Sequence, residues 1–217
     1  MIDRSPAEDI KKFPECPRDR YPDDQEFLAV YKYANPIVRD AMEFVYFTAM
    51  SPCDMLKITV DMLTRSGVNL GYRSKVARRR ATARTLFAWN EHLFALVQTM
   101  LTRPGRTASP YLFQTRHGEK LTYANFNAMF HRARTKAVEQ DGITPFNFYD
   151  LRAKSLTDAE NAGLNASLLG CHADERTTQI YLRRYQTQAV ETLSDSPLTR
   201  TSEPFKDGVD LRPMFPV

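Results

Sequence analysis

Several things are scarce in this 217-residue chain, and each shortage excludes a class of protein. No apolar run approaches the roughly 18 residues of a membrane-spanning helix. The N-terminus, Met1-Ile2-Asp3-Arg4, lacks the basic-then-apolar order of a secretory signal. Both absences point to a cytoplasmic protein with no membrane partner. The three cysteines, Cys16, Cys53 and Cys171, are odd in number and far apart, so they form no disulfide framework and no zinc-ligand spacing. Internal repeats and low-complexity tracts are also missing. Acid is absent from one long window: Met62 to Asn90 contains no Asp or Glu but carries Arg65, Arg73, Lys75, Arg78, Arg79, Arg80 and Arg84. By contrast, the first 26 residues hold eight acids against five bases. A net charge of +4 conceals this asymmetry. It suits a basic face turned toward a polyanion, with a solvated basic loop as the competing reading.

What is present is enough for one sizeable domain with tails. Apolar residues make up 42%, including 13 Phe and 10 Tyr, and charged residues 26%, which together describe a globular chain. Residues 1–20, with Pro6, Pro14 and Pro17, read as an N-terminal arm without its own core. A helical pattern begins near Asp23-Asp24 with Phe27, Val30 and Tyr31, and Asn35-Pro36 breaks it. A strongly apolar second helix follows through Ala41, Met42 and Val45 to Phe47-Thr48. Ser51-Pro52-Cys53-Asp54 is a fresh helix start: serine as N-cap, proline in the first helical position, acid in the first turn. Between Gly67 and Phe87 the pattern predicts a sheet of two or three short strands with basic turns. Helices are expected over Glu91–Leu101, from Thr122 to Val138 with a stop at Asp141-Gly142, and over Leu151–Asn161, Asn165–Leu169 and Asp174–Tyr185. Beyond Leu193, Ser, Pro and charges mark a tail. The fold class is therefore mainly α with a small antiparallel β-sheet (α+β).

Chemistry concentrates near the end of the domain. Tyr149-Asp150-Leu151-Arg152 precedes Leu169-Gly170-Cys171-His172, and Tyr181 follows nine residues after the histidine. An arginine, a histidine and a tyrosine can meet on one phosphodiester, holding its oxygens while the phenol attacks phosphorus. Taken alone, Tyr181 beside Ile180 and Leu182 reads as a core or interface residue, and His172 as a helix-capping or partly buried histidine. Arg152 near a helix start is opposed by the helix dipole unless an anion is present. Cys171-His172 has no second ligand pair, so no metal is expected.

In this order the residues resemble the catalytic domain of tyrosine recombinases, the phage-integrase family, over Asp19-Arg20-Tyr21 to about Tyr185. That places the recombinase-like domain at 21–190 and a C-terminal tail at 191–217, with the family's N-terminal DNA-clamp domain absent. Thr177-Thr178-Gln179-Ile180-Tyr181 matches the family's T-T-x-x-Y, and Leu169-Gly170-Cys171-His172 stands where it has L-L-G-H. Arg152 matches the arginine of H-x-x-R, with Tyr149 in the histidine's place. Lys75, in Arg73-Ser74-Lys75, falls where a hairpin lysine is expected. Thr48-Ala49-Met50-Ser51-Pro52-Cys53-Asp54 aligns with T-G-x-R-x-x-E, so Ser51 replaces the first catalytic arginine. A neutral hydroxyl supplies neither charge nor a bidentate fork.

The resemblance implies a mostly helical fold with a small sheet and cofactor-free cutting and rejoining of double-stranded DNA. Tyr181 is the implied nucleophile, forming a 3′-phosphotyrosyl link, and Lys75 the general acid. Arg152 and His172 are the implied ligands of the non-bridging oxygens, assisted by Tyr149. Arg73, Arg78, Arg79, Arg80 and Arg84 are expected on the DNA-binding surface. Implied assemblies are a homotetramer on DNA or a hetero-oligomer with another recombinase, in a bacterial or phage-derived setting. The expectation is an enzyme weakened by Ser51. The alternative is a non-catalytic DNA-binding relative, or a prophage remnant, that partners an active recombinase.

Overall fold

A computed structural model of the chain describes residues 20–71 and 85–170. Helix α1 (Asp24–Tyr33) opens with a capping box: the Asp23 side chain accepts from the Glu26 N–H at 2.8 Å, and Glu26 accepts from the Asp23 N–H at 3.0 Å. Helix α2 (Pro36–Thr48) restarts at once because Asn35 caps it and Pro36 sits where a missing N–H costs nothing. It is the central helix, burying Val38, Ala41, Met42, Phe44 and Val45. It ends at Ala49, whose φ of 47° is left-handed. The short α3 (Pro52–Met55) begins on the Ser51 cap.

A 3₁₀ turn (Val60–Met62) leads into three antiparallel strands in sequence order: β1 (Leu63–Thr64), β2 (Gly67–Gly71) and β3 (Thr85–Ala88). The sheet thus starts earlier than the Gly67 that alternation suggested, because Leu63 pairs with Val68 and Thr64 with Gly67. Gly67 is obligatory. Its φ is +148°, and a Cβ there would stand 2.0 Å from the Phe87 carbonyl oxygen.

Four helices complete the described domain: α4 (Glu91–Thr102), α5 (Tyr123–Asp141), α6 (Asp150–Asn161) and α7 (Ala166–Gly170). Asn90 and Thr122 cap α4 and α5, and Gly142 closes α5 in the left-handed conformation. Between α4 and α5, Tyr111 forms one bridge to Thr59. The expected helix Asp174–Tyr185 lies outside the described residues. The fold is mainly helical with a small antiparallel sheet, as the sequence pattern predicts.

Packing fixes the platform for α6. Helix α1 lies on α5, and α2 lies on both α4 and α6. Phe126 and Phe130 of α5 meet Phe148 edge-on at centroid distances of 4.6 and 5.2 Å, and Phe130 meets Phe146 at 5.8 Å. Such pairs add about 0.5–1.5 kcal/mol each beyond their buried area. They anchor the segment that delivers the chain into α6. On the far side of α2, buried Asp40 takes a two-pronged ion pair from Arg103 at 2.5 and 2.8 Å.

Candidate active site

Helix α6 carries Arg152 in its first turn, with only 5% of its surface exposed. Local sequence explains the start: the Asp150 carboxylate accepts the Asn147 N–H at 2.8 Å, and Phe148 is buried just before it. The Arg152 guanidinium donates to the carbonyl of Ala49, the C-cap of α2, and to the carbonyl of Gly170 at the end of α7, at 2.9 Å. The Ala49 carbonyl belongs to the C-terminus of α2, which carries partial negative charge. That helix end offsets part of the opposition between the Arg152 charge and the N-terminus of α6.

The same hydrogen bond brings Arg152 to the turn that contains Ser51, two residues beyond Ala49. There Ser51 Oγ accepts the Asp54 N–H at 3.2 Å and donates to Asp54 Oδ2 at 2.9 Å. The serine is therefore a working N-cap, as its position before Pro52 predicts, and its hydroxyl is committed to Asp54. Tyr149 sits one turn before Arg152 at the head of α6 and is 41% exposed. Gly170, the second carbonyl on Arg152, directly precedes Cys171-His172 in sequence. So the described residues join Arg152 to the Ser51 turn and to the end of α7, with Tyr149 alongside in sequence. His172 and Tyr181 lie outside the described residues, as do Lys75, Arg73, Arg78, Arg79, Arg80 and Arg84 between β2 and β3.

Sequence reasoning missed a second cluster on α6. Lys154, only 2% exposed, places its ammonium 2.6 Å from Asp24, 3.1 Å from Asp158 and 3.2 Å from the Tyr21 hydroxyl. Asp158 in turn accepts from Tyr21 at 2.5 Å and from Tyr46 at 3.0 Å. Desolvation alone would lower the Lys154 pKa, but its hydrogen bonds to Asp24, Tyr21 and Asp158 outweigh it and leave the pKa raised. Burial, then the charge of Asp158, pushes Tyr46 up to about 12. The available signal was the Lys154/Asp158 i,i+4 pair set among Ala153, Ser155, Leu156 and Ala159, small or apolar neighbours that mark a helix with no solvent face.

Among the described residues no group of three or more His, Cys, Asp or Glu is placed to hold a metal, and no helix is long and apolar enough to cross a membrane. The profile of the phage integrase family matches residues 23–188, most of the chain. This chain belongs to the phage integrase family. No curated protein matches it at a significant level. Among solved structures, a lambda integrase dimer bound to a COC′ core site superposes with a TM-score of 0.64 at 16% identity, covering 84% of this chain and 65% of that one. XerA recombinase gives 0.61 at 17%, covering 79% and 61%. The Tn1549 transposon integrase, in complex with a circular intermediate DNA, gives 0.62 at 16%, covering 83% and 66%. At these identities the likeness is one of fold. The chain spans 65% and 52% of the lengths of the two lambda integrase chains that it matches in a core-site dimer and a Holliday-junction tetramer. Within this fold Arg152 lies beside the turn that holds Ser51.

Proposed function

We propose that this protein is a cytoplasmic, DNA-binding site-specific recombinase that cuts and rejoins double-stranded DNA through Tyr181. The observation that carries this reading is the family match over residues 23–188, together with the burial of Arg152 between the Ser51 turn and the residue before Cys171-His172. The Tyr181 oxygen bonds to phosphorus, losing its proton to solvent. The P–O5′ bond breaks, and Lys75 protonates the departing 5′-oxygen. The product is a 3′-phosphotyrosyl link and a free 5′-hydroxyl, whose later attack reverses the step on another strand. Bond energy is conserved in the link, so the cycle needs neither ATP nor a metal. Arg152 and His172 hold the non-bridging oxygens, with Tyr149 assisting, and Arg73, Arg78, Arg79, Arg80 and Arg84 bind flanking phosphates.

Ser51 makes this a slow enzyme. It leaves the phosphate one guanidinium short, and deleting one donor from a charge-stabilising site costs about 10²–10³ in rate. Because Ser51 is occupied as the cap of α3, no described group at that position supplies the missing charge. That same observation favours a second reading, a non-catalytic DNA-binding relative that pairs with an active recombinase. Solved relatives include a lambda integrase tetramer on a Holliday junction, and a tetramer of this chain on DNA is the corresponding assembly.

Incubation with a pool of nicked duplexes of randomised sequence, followed by denaturing electrophoresis, separates the two. A slow-migrating DNA–protein band that disappears in Tyr181→Phe is the expected result. No band from wild type or from a folded Ser51→Arg variant rejects chemistry and leaves the binding role.

A further inference from the structure

Helix α6 is held on two sides. Arg152 and Lys154 are two residues apart, so their side chains leave the helix in nearly opposite directions. Arg152 reaches the ends of α2 and α7, whereas Lys154 reaches the start of α1 and the Tyr21 segment before it. Lys154 has three N–H donors, and all three have acceptors: Asp24, Asp158 and the Tyr21 hydroxyl. Asp158 closes the network by taking the Tyr21 and Tyr46 hydroxyls. Helix α2 participates at both ends of the contact: Ser155 Oγ donates to the Tyr46 carbonyl at 2.6 Å, and Arg152 donates to that of Ala49. Asp158 lies toward the C-terminal end of α6, where the helix dipole opposes a carboxylate, and Lys154 one turn earlier supplies the compensating charge.

The geometry points to Lys154 as a positioning residue that fixes the register of α6, and with it the Arg152 guanidinium, through Asp24, Asp158 and Tyr21. The inference rests on the proposed role of Arg152 as a phosphate ligand. A one-residue slide of a helix moves a side chain by about 1.5 Å, enough to break the Arg152 bond to Ala49. The Lys154 network opposes that slide because it ties α6 to other parts of the chain: Lys154 to Asp24 of α1 and to Tyr21, and Asp158 to Tyr21 and to Tyr46 of α2. A simple surface ion pair could not do this. Asp24 alone is exposed, at 84% of its side chain, while the lysine it meets is 3% exposed.

The test follows the Nε–H signal of Arg152 in ¹H–¹⁵N spectra of the full chain, assigned by its loss in Arg152→Lys. In Lys154→Met, solvent exchange of this signal should quicken by on the order of tenfold through local opening, and Lys154→Arg should restore it. Asp40→Asn, which breaks an ion pair on the other side of α2, is the control: it lowers thermal stability and should leave Arg152 exchange unchanged. If Lys154→Met does not fold, Asp24→Asn removes only the exposed partner and should shift exchange in the same direction by a smaller factor. Unchanged Arg152 exchange in a folded Lys154→Met or Asp24→Asn, or equal quickening in Asp40→Asn, overturns the positioning role. Addition of a nicked DNA duplex to wild type reads the other claim. A signal that does not move overturns Arg152 as phosphate ligand and leaves the exchange result standing by itself.

Discussion

Replacing Ser51 by arginine should trade stability for rate, and both sides can be estimated. Ser51 Oγ caps α3 by accepting the Asp54 N–H and donates to the Asp54 carboxylate. Loss of an N-cap costs about 1 kcal/mol, and a cation at a helix N-terminus costs about 0.3–1 kcal/mol more. Asp54, whose side chain is 13% exposed, can receive the new guanidinium in return. A partly exposed ion pair contributes about 0–1 kcal/mol, so the net loss is about 1 kcal/mol. For a domain of this size that lowers Tm by about 2–4 °C. On the other side, a restored donor to the phosphate should raise the initial rate of adduct formation by about 10²–10³. Two neighbours separate the terms. Ser51→Ala should lose the cap with no gain in rate, and Ser51→Lys should gain less than arginine because it lacks the bidentate fork. The reasoning fails if folded Ser51→Arg gains less than tenfold in rate, or if it melts above wild type.

Other outcomes follow from the same structure. Alkali should unfold the protein early. Tyr46 and Tyr31 are both raised to about 12 in the fold, first by burial and then by Asp158 and Glu43 respectively. Below pH 10 both phenols are neutral whether folded or not, so their contribution is fully present; it is lost as pH rises from about 10 toward 12. Urea midpoints measured from pH 8 to 11.5 should fall across that window, and Tyr46→Phe should flatten the fall. Asp40→Asn should cost about 2–3 kcal/mol, somewhat below a fully buried pair, because Arg103 keeps 32% of its side chain exposed; Asp40→Asn with Arg103→Met should recover part of it in denaturant titrations. Changing Arg78, Arg79 and Arg80 together to alanine should weaken DNA binding and flatten the log Kd against log salt slope by about 2.7. An unchanged slope removes those arginines from the DNA surface.

The legible part of the fold was written in its helix starts. Asp23, Asn35, Ser51, Asn90 and Thr122 all cap the helices that follow them, because capping is a local exchange between one side chain and one or two N–H groups. Arg152 could be picked out as a site residue by motif, but its partners could not. The Ala49 and Gly170 carbonyls come from 103 and 18 residues away, and backbone acceptors leave no mark in sequence. The left-handed Ala49 was visible only indirectly, as alanine at a place where the aligned family motif has glycine. Lys154 and Asp158 drew no attention in the sequence because an i,i+4 charge pair on a helix is normally solvated. Their burial is decided by α2, which packs on α6 and supplies Tyr46, and by the Tyr21 segment and Asp24 at the start of α1.

The most direct test of the central claim is mass spectrometry of the tryptic peptide 177–183 after reaction with nicked duplex DNA. The account predicts a nucleotide 3′-phosphate on Tyr181, scarce in wild type and abundant in Ser51→Arg. A nucleotide attached to any other residue contradicts it. So does its absence from both proteins while they remain folded and bound to DNA.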